Sequence, residues 1–315
     1  MRSSVIAAYL AVCIVWGSTY LAIRFTVETI PPFFMAGTRF IISGLILYAI
    51  MRLRGNQKPT PNQWTKAAII GGLMLMGGNG IVVWAEQYLP SGLTSIFVAA
   101  IPLWVAIISW LTTRRKPNLP IIIGLIAGFI GIGLLVGDIG TLGNGQIAFL
   151  AGIALVFGPI LWASGSFYSS RVHISSSSLL GTAMEMITGG AILSIASLVT
   201  GEFTRIRLDQ VSFRSSMSWL YLIFFGSLIG YTCYMWLLKN ADPERASTYA
   251  FVNPVVALLL GWTLASETLS AQNLVAVVII LTSVAATTTF GRVHETPKAK
   301  ATNNLEAQTP KGKFS

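Results

Sequence analysis

Residues 32–51, PFFMAGTRFIISGLILYAIM, run twenty positions with a single charge, and the chain makes ten such runs. About 20 apolar residues are what a helix needs to cross a hydrocarbon core about 30 Å thick. The ten runs are 3–23, 32–51, 67–89, 92–111, 119–136, 145–167, 179–199, 217–238, 246–265 and 269–290. They are continuous, whereas a barrel strand would alternate apolar and polar positions, so each satisfies its own backbone in lipid only as a helix. The expected fold class is an all-α integral membrane protein of ten transmembrane helices. Only 10% of the residues are charged, against about 25% in a soluble domain, too few to cover a surface in water.

The charges that do occur fix an orientation. With a cytoplasmic N-terminus, sixteen of the 21 lysines and arginines fall on the inner side, among them Arg52, Arg54, Arg114, Arg115, Lys116 and Lys239. Arg24, Arg205, Arg207 and Arg214 fall outside, and Arg39 lies within a run. Positive residues gather on the cytoplasmic side, so both termini are expected there. The net charge of +10 is spread between apolar runs and in the tail, which is not the basic groove of a nucleic-acid binder. Cys13 and Cys233 lie in separate runs and argue for neither a redox pair nor a zinc site. The first run has one preceding arginine and no A-x-A-like cleavage site, so it reads as a retained helix. The polar tail, 292–315, is expected to be disordered.

The runs also repeat. A shift of 152 residues carries Trp84 onto Trp236, Ser95 onto Ser247, Pro102 onto Pro254 and Trp110 onto Trp262, and a shift of 146 carries Trp16 onto Trp162. The expected domains are a first repeat at 1–139, a second at 140–291 and the tail at 292–315. Five helices per repeat is an odd number, so the second copy starts on the opposite side of the membrane and the halves are expected to be inverted. Two inverted copies that exchange shapes expose a site between them to each side in turn, the geometry of a secondary transporter. A duplicated scaffold that never switches is the plainer alternative.

Two ionisable residues lie deep in apolar runs, Arg39 and Glu185, and the shift of 146 makes them equivalent. Charges at such depth are costly and functional by default. Each stands about eight residues past its helix start, about 12 Å at 1.5 Å per residue, which puts their levels about 6 Å apart in a core of about 30 Å. Arg39 could grip a substrate carboxylate; Glu185 could hold an ammonium or carry a coupling proton; the two could also simply tie the halves together. Glu86, near the outer end of its run, is a weaker candidate. Trp16, Tyr20, Trp162, Tyr249 and Phe251 could form an aromatic wall, or pack. Asn79 and Asn253 could offer amides to substrate. Pro102 and Pro254 each remove a backbone hydrogen bond near mid-helix, so a shared hinge and a fixed kink are both open. Gly71, Gly72, Gly77, Gly78 and Gly80 surround Asn79 and permit bending or close approach.

WGSTYLAIRF at 16–25, PPFFMAGTRF at 31–40, GGNGIVVWAEQYLPSG at 77–92 and YAFVNPVVALLLGWTLASETLS at 249–270 together resemble the EamA family of the drug/metabolite transporter superfamily, and within it the YedA-like permeases. The resemblance covers all ten runs. It implies an inner-membrane permease, often an exporter of amino acids or related metabolites. One position departs: the family often carries a glutamate after both the fourth and ninth helices, and here Glu267 has Arg115 as its counterpart.

No catalytic constellation, metal site or cofactor motif stands out, and without a GxxxxGK[ST] loop an uphill step would draw on an ion gradient. The expected activity is proton-coupled export of a small amino-acid-like or amphipathic metabolite by alternating access. The alternatives are a membrane enzyme or lipid-handling scaffold, and a passive facilitator. The expected partners are a small-molecule substrate, the bilayer and protons, with no nucleic acid; monomer and homodimer are both open.

Overall fold

Every apolar run folds as a helix. A computed structural model describes residues 3–114, 119–139, 145–175, 177–241, 243–266 and 271–290. Among them ten helices are formed: α1 (Ser3–Thr26), α2 (Pro32–Leu53), α3 (Pro61–Ala85), α4 (Ser91–Val98 continued by Ile101–Thr113), α5 (Leu119–Ile139), α6 (Gly145–Arg171), α7 (Ser178–Val199), α8 (Phe213–Asn240), α9 (Tyr249–Ala265) and α10 (Ala271–Phe290). Seven of them, α1 to α4 and α6 to α8, are long and apolar enough to cross a membrane by length and composition. At 17 residues α9 is at the short end of what spans a bilayer. The pairing of Arg115 with Glu267 and the 292–315 tail lie outside the described residues.

Several helices begin or break where apolarity gives no warning. α3 starts six residues ahead of its run because Thr60 and Gln63 cap it reciprocally: the Gln63 N–H donates to Thr60 Oγ1 and the Thr60 N–H to Gln63 Oε1. Such a box satisfies two otherwise orphaned donors. α4 is interrupted by a turn at Ala99 and Ala100, and Pro102 falls in the first turn of the second piece, where its missing N–H costs nothing. Pro254 stands inside α9 without ending it, and the break there lies earlier, between Pro243–Ala246 and Tyr249. The interruptions are therefore at unequal distances from the two prolines.

Two other irregularities do match. α3 is π-helical over Gly72–Gly80 and α8 over Leu222–Tyr231, and the shift of 152 carries most of the first segment onto the second. π stretches are rare and occur mostly at functional places in helices.

Helices α2 and α7 run antiparallel along one another. An added Cβ on Gly190 would stand 2.9 Å from the Gly37 carbonyl oxygen, and one on Gly44 3.0 Å from that of Ala183. Both glycines let two backbones touch, as small residues do in membrane helix pairs. Gly44 and Gly190 are equivalent at the shift of 146, as are Gly37 and Ala183, so each contact is the mate of the other. The same holds across the fold: α1 packs on α8 as α6 packs on α3, α1 on α9 as α6 on α4, and α2 on α8 as α7 on α3, while α5 pairs with α10 and α4 with α9.

One contact has no counterpart among these pairs. The segment after α7 places Glu202 Oε2 2.9 Å from the Phe34 N–H, in the first turn of α2, whose N-cap Pro31 offers no side-chain acceptor. A carboxylate suits the positive end of a helix, and Phe203 meets Phe34 edge-on, 5.8 Å between centroids.

Candidate functional site

Seven helices, α1 to α4, α6, α8 and α9, converge on a central cavity of about 60 Å³. That is room for a few water molecules, well below the several hundred Å³ of a metabolite site, so a metabolite does not fit in this conformation. Its wall includes Trp16, Tyr20, Arg39, Asn79, Trp162, Tyr249 and Asn253, brought together from five of those helices. Glu185, the repeat equivalent of Arg39, is buried but is not part of the wall. Phe251 is not part of it either.

Arg39 is 4% exposed, with its guanidinium carbon 4.4 Å from the Phe40 ring centroid. Nη2 donates to Asn79 Oδ1 at 3.0 Å; Nε and Nη1 meet no hydrogen-bond acceptor among the described residues. A buried polar group left unpaired costs about 1–3 kcal/mol, more when charged. The site therefore holds a cation with donor capacity to spare, at the wall of a cavity. Carboxylates take that fork two oxygens at a time.

Glu185 takes a different partner. The Tyr231 hydroxyl donates to its Oε2 at 3.2 Å, and Tyr231 itself lines the cavity. Counting along the antiparallel α2 and α7 from the Gly37–Gly190 contact, Arg39 and Glu185 stand three residues apart in level, about 4.5 Å at 1.5 Å per residue. They do not bond to one another: each is held by a side chain from its own half. The two pairs are equivalent, since Asn79 shifted by 152 is Tyr231 and Arg39 shifted by 146 is Glu185. Tyr231 was missed in the sequence, and that same shift, applied to Asn79, was the signal that could have found it.

The tryptophans obey the same relation. Trp16 donates from Nε1 to the Gly226 carbonyl at 3.0 Å, and an added Cβ on Gly230 would stand 2.5 Å from that nitrogen. Trp162 lies against Gly78, where an added Cβ would stand 2.7 Å from its Cε3. Gly78 shifted by 152 is Gly230, so each tryptophan seats on the π segment of the opposite half. Their rings meet edge-on at 5.4 Å, and Tyr234 and Tyr249 complete the cluster, each 5.0 Å from Trp16. Asn253 approaches the Tyr20 hydroxyl.

A second, wider cavity of about 390 Å³ opens where α1, α3 and α9 end and α8 begins, lined by Arg24, Glu28, Gln87, Arg214 and Ser266 among others. There Arg24 Nη1 donates to the Glu86 carbonyl at 2.7 Å, and Arg214 and Glu28 stand 4.0 Å apart. Glu86, placed by its sequence position near the interface, is fully buried. Trp110 and Trp262, in the last turns of α4 and α9, are exposed, as interfacial anchors are. No group of three residues able to hold a metal ion is found among the described residues.

The EamA-like transporter family matches the chain twice, over residues 3–137 and 149–289. The inner membrane transporter YedA of Escherichia coli (strain K12) is 40% identical over 283 residues, which are 89% of this chain and 89% of YedA. The transporter YoaV of Bacillus subtilis (strain 168) is 23% identical over 290 residues, 91% of this chain and 98% of its own. A solved crystal structure superposes with a TM-score of 0.65 at 18% identity, across 93% of this chain and 100% of that one, a likeness of fold alone.

Proposed function

The chain belongs to the EamA-like transporter family, a family of transporters and not of enzymes, and from that premise we propose that it is a secondary active transporter of the inner membrane, exporting small amino-acid-like carboxylates in exchange for protons. The inner-membrane location follows the relative YedA, and the distribution of basic residues supports cytoplasmic termini. The domain division at 1–139 and 140–291 is part of the same proposal. So is the inversion of the halves: equivalent helices α2 and α7 lie antiparallel with mated contacts, the relation expected of a pseudo-two-fold axis in the membrane plane. Alternating access is the exchange of the two halves' shapes about that axis. The narrow cavity lies on its path between the halves, and the 390 Å³ opening is the outer vestibule.

The observation that carries the substrate class is the Arg39 guanidinium, buried at the cavity wall, bonded once to Asn79, and with two donors that meet no acceptor among the described residues. A carboxylate there would complete its hydrogen bonds, and the Trp16, Trp162 and Tyr249 rings would take an apolar or aromatic body. Glu185, buried behind Tyr231, is the proton carrier.

Purified protein in liposomes, tested with a panel of radiolabelled amino acids and matched amines lacking the carboxylate, with and without a pH gradient, tests the reading. Carboxylates should move and their amines should not, and a proton gradient should drive accumulation. Transport of amines and carboxylates alike would remove Arg39 from the site, and gradient-insensitive flux would remove proton coupling.

A further inference from the structure

Glu185 is 1% exposed and stands outside the cavity, so a proton held there needs a mechanical link to reach the substrate. Tyr231 spans that gap. Its hydroxyl donates to Glu185 Oε2 at 3.2 Å, while the residue lines the cavity with its ring 6.5 Å from the Trp162 ring and 6.4 Å from the Phe40 ring by centroids. It is also the last residue of the π segment Leu222–Tyr231, whose Gly230 supports Trp16. One residue thus touches the buried acid, the aromatic wall and the irregular backbone.

We infer that Tyr231 is the positioning residue that couples the protonation of Glu185 to the shape of the cavity, held by the charged carboxylate and released by the neutral acid. The inference rests on the proton-coupled reading above and says how the proton acts. A hydrogen bond to an ionised acceptor is about twice as strong as one to a neutral acceptor. Losing that difference shifts the balance between a pinned and a released Tyr231 on the order of ten-fold. Release frees the ring from one side of the wall and lets the end of the π segment rewind, which moves Gly230 under Trp16.

The charged and titratable surroundings leave Glu185 to govern this. On α8 they are Tyr231 and Lys239, with Tyr234 acting on Tyr231. Lys239 is engaged elsewhere, donating to the Ser169 carbonyl and, at 2.8 Å, to that of Val172. From α3, the uncharged Met74 meets the Tyr231 hydroxyl through its sulfur at 3.9 Å. On α2, Arg39 makes its one side-chain hydrogen bond to Asn79. The first half's copy of the device is that amide–guanidinium pair, and a guanidinium stays charged where a carboxyl titrates. Only the second half's copy answers to pH, an asymmetry that duplication alone would not create.

The test reads tryptophan emission across pH for the full chain in lipid nanodiscs, with no ligand added, in wild type, Glu185→Gln and Tyr231→Phe. The wild type should show a pH-dependent change that both variants lose. A response lost in Glu185→Gln but kept in Tyr231→Phe overturns the role of Tyr231 and leaves Glu185 as the proton site. A response kept in Glu185→Gln, or absent from wild type, overturns the proton-coupled reading as well. Should Tyr231→Phe fail to fold, 3-fluorotyrosine at position 231 keeps the ring and strengthens the donor. It should move the midpoint of the change, and an unmoved midpoint overturns the inference.

Discussion

Gly190→Ala adds one methyl group at the crossing of α2 and α7. Its carbon would stand 2.8 Å from the Ile41 nitrogen and 2.9 Å from the Gly37 carbonyl oxygen, where ordinary contact begins at 3.4 Å. Both neighbours are backbone, so the helices themselves must part by about 0.6 Å, the difference between 3.4 and 2.8 Å. Overpacking of this kind costs about 1–3 kcal/mol, and replacing a helical glycine returns up to about 1 kcal/mol. The net expectation is a loss of about 1 kcal/mol. Gly44→Ala meets the Ile187 nitrogen at 2.9 Å and the Ala183 oxygen at 3.0 Å, and should cost about the same. Because both strains are relieved by the same separation, the double variant should fall short of the sum by about 0.5–1 kcal/mol. Gly133→Ala is the control: nothing lies within 4 Å of its added carbon, so it should be neutral or stabilising. Thermal unfolding of the purified protein in detergent reads all four variants. Strict additivity in the double variant, or a Gly190→Ala shift of the same sign and size as Gly133→Ala, would refute the shared-seam argument.

Arg39→Lys keeps the charge but loses the planar fork, and should weaken carboxylate binding about ten-fold in equilibrium binding to the purified protein; unchanged affinity counts against the site. Gly78→Ala and Gly230→Ala each drive a methyl group against a tryptophan, at 2.7 Å from Trp162 and 2.5 Å from Trp16, so the rings should be pushed into the cavity and liposome flux should fall about ten-fold or more while folded yield is kept; normal flux in both would mean the rings do not bound the transport path. Burial pushes the Glu202 carboxyl above its ordinary 4.5, against the hydrogen bond from the Phe34 N–H that pulls it down. The folded chain then holds that proton more tightly than the unfolded one. Its contribution is full below 4.5 and is lost as pH rises through the folded value. Melting temperature should therefore fall less steeply from acid to neutral pH in Glu202→Gln than in wild type, and a steeper fall in the variant would contradict the sign.

The ten helices were legible because lipid leaves an apolar run of about 20 residues little else to become. Their ends were less so: Thr60, Gln63 and Trp64 begin α3 by hydrogen bonding, which apolarity does not register. The turn in α4 falls on Ala99 and Ala100, two residues that favour a helix, and the signal for it lies further on in Pro102, which has no N–H for the Val98 carbonyl and crowds it. The π segments were invisible as such, although the glycines around Asn79 marked the place. Of the candidate site, Trp16, Tyr20, Trp162, Tyr249, Asn79 and Asn253 line one cavity and Phe251 does not, while for Arg39 and Glu185 the sequence offers depth alone. Depth says nothing of azimuth, and it is azimuth that gives Arg39 to Asn79 and Glu185 to Tyr231. That pairing was present in the repeat arithmetic and needed only a second shift to be applied.

The matched π segments bear on which insertions and deletions this chain can accept. A π stretch carries more residues per turn than the α-helix around it, so deleting one residue there lets the segment close up as ordinary helix. The surplus residue is what is lost, so the helix beyond keeps its register, whereas a deletion in the α-helical turns leading into either segment rotates everything beyond the cut by about 100°, one residue's share of a 3.6-residue turn. In α3 such a deletion swings Asn79 off Arg39 and Gly78 out from under Trp162; in α8 it swings Tyr231 off Glu185 and Gly230 out from under Trp16. Length in the turns that lead into these two segments is as specific as residue identity, and a frame slip of one there, harmless in a surface loop, would turn the working face of either helix towards lipid.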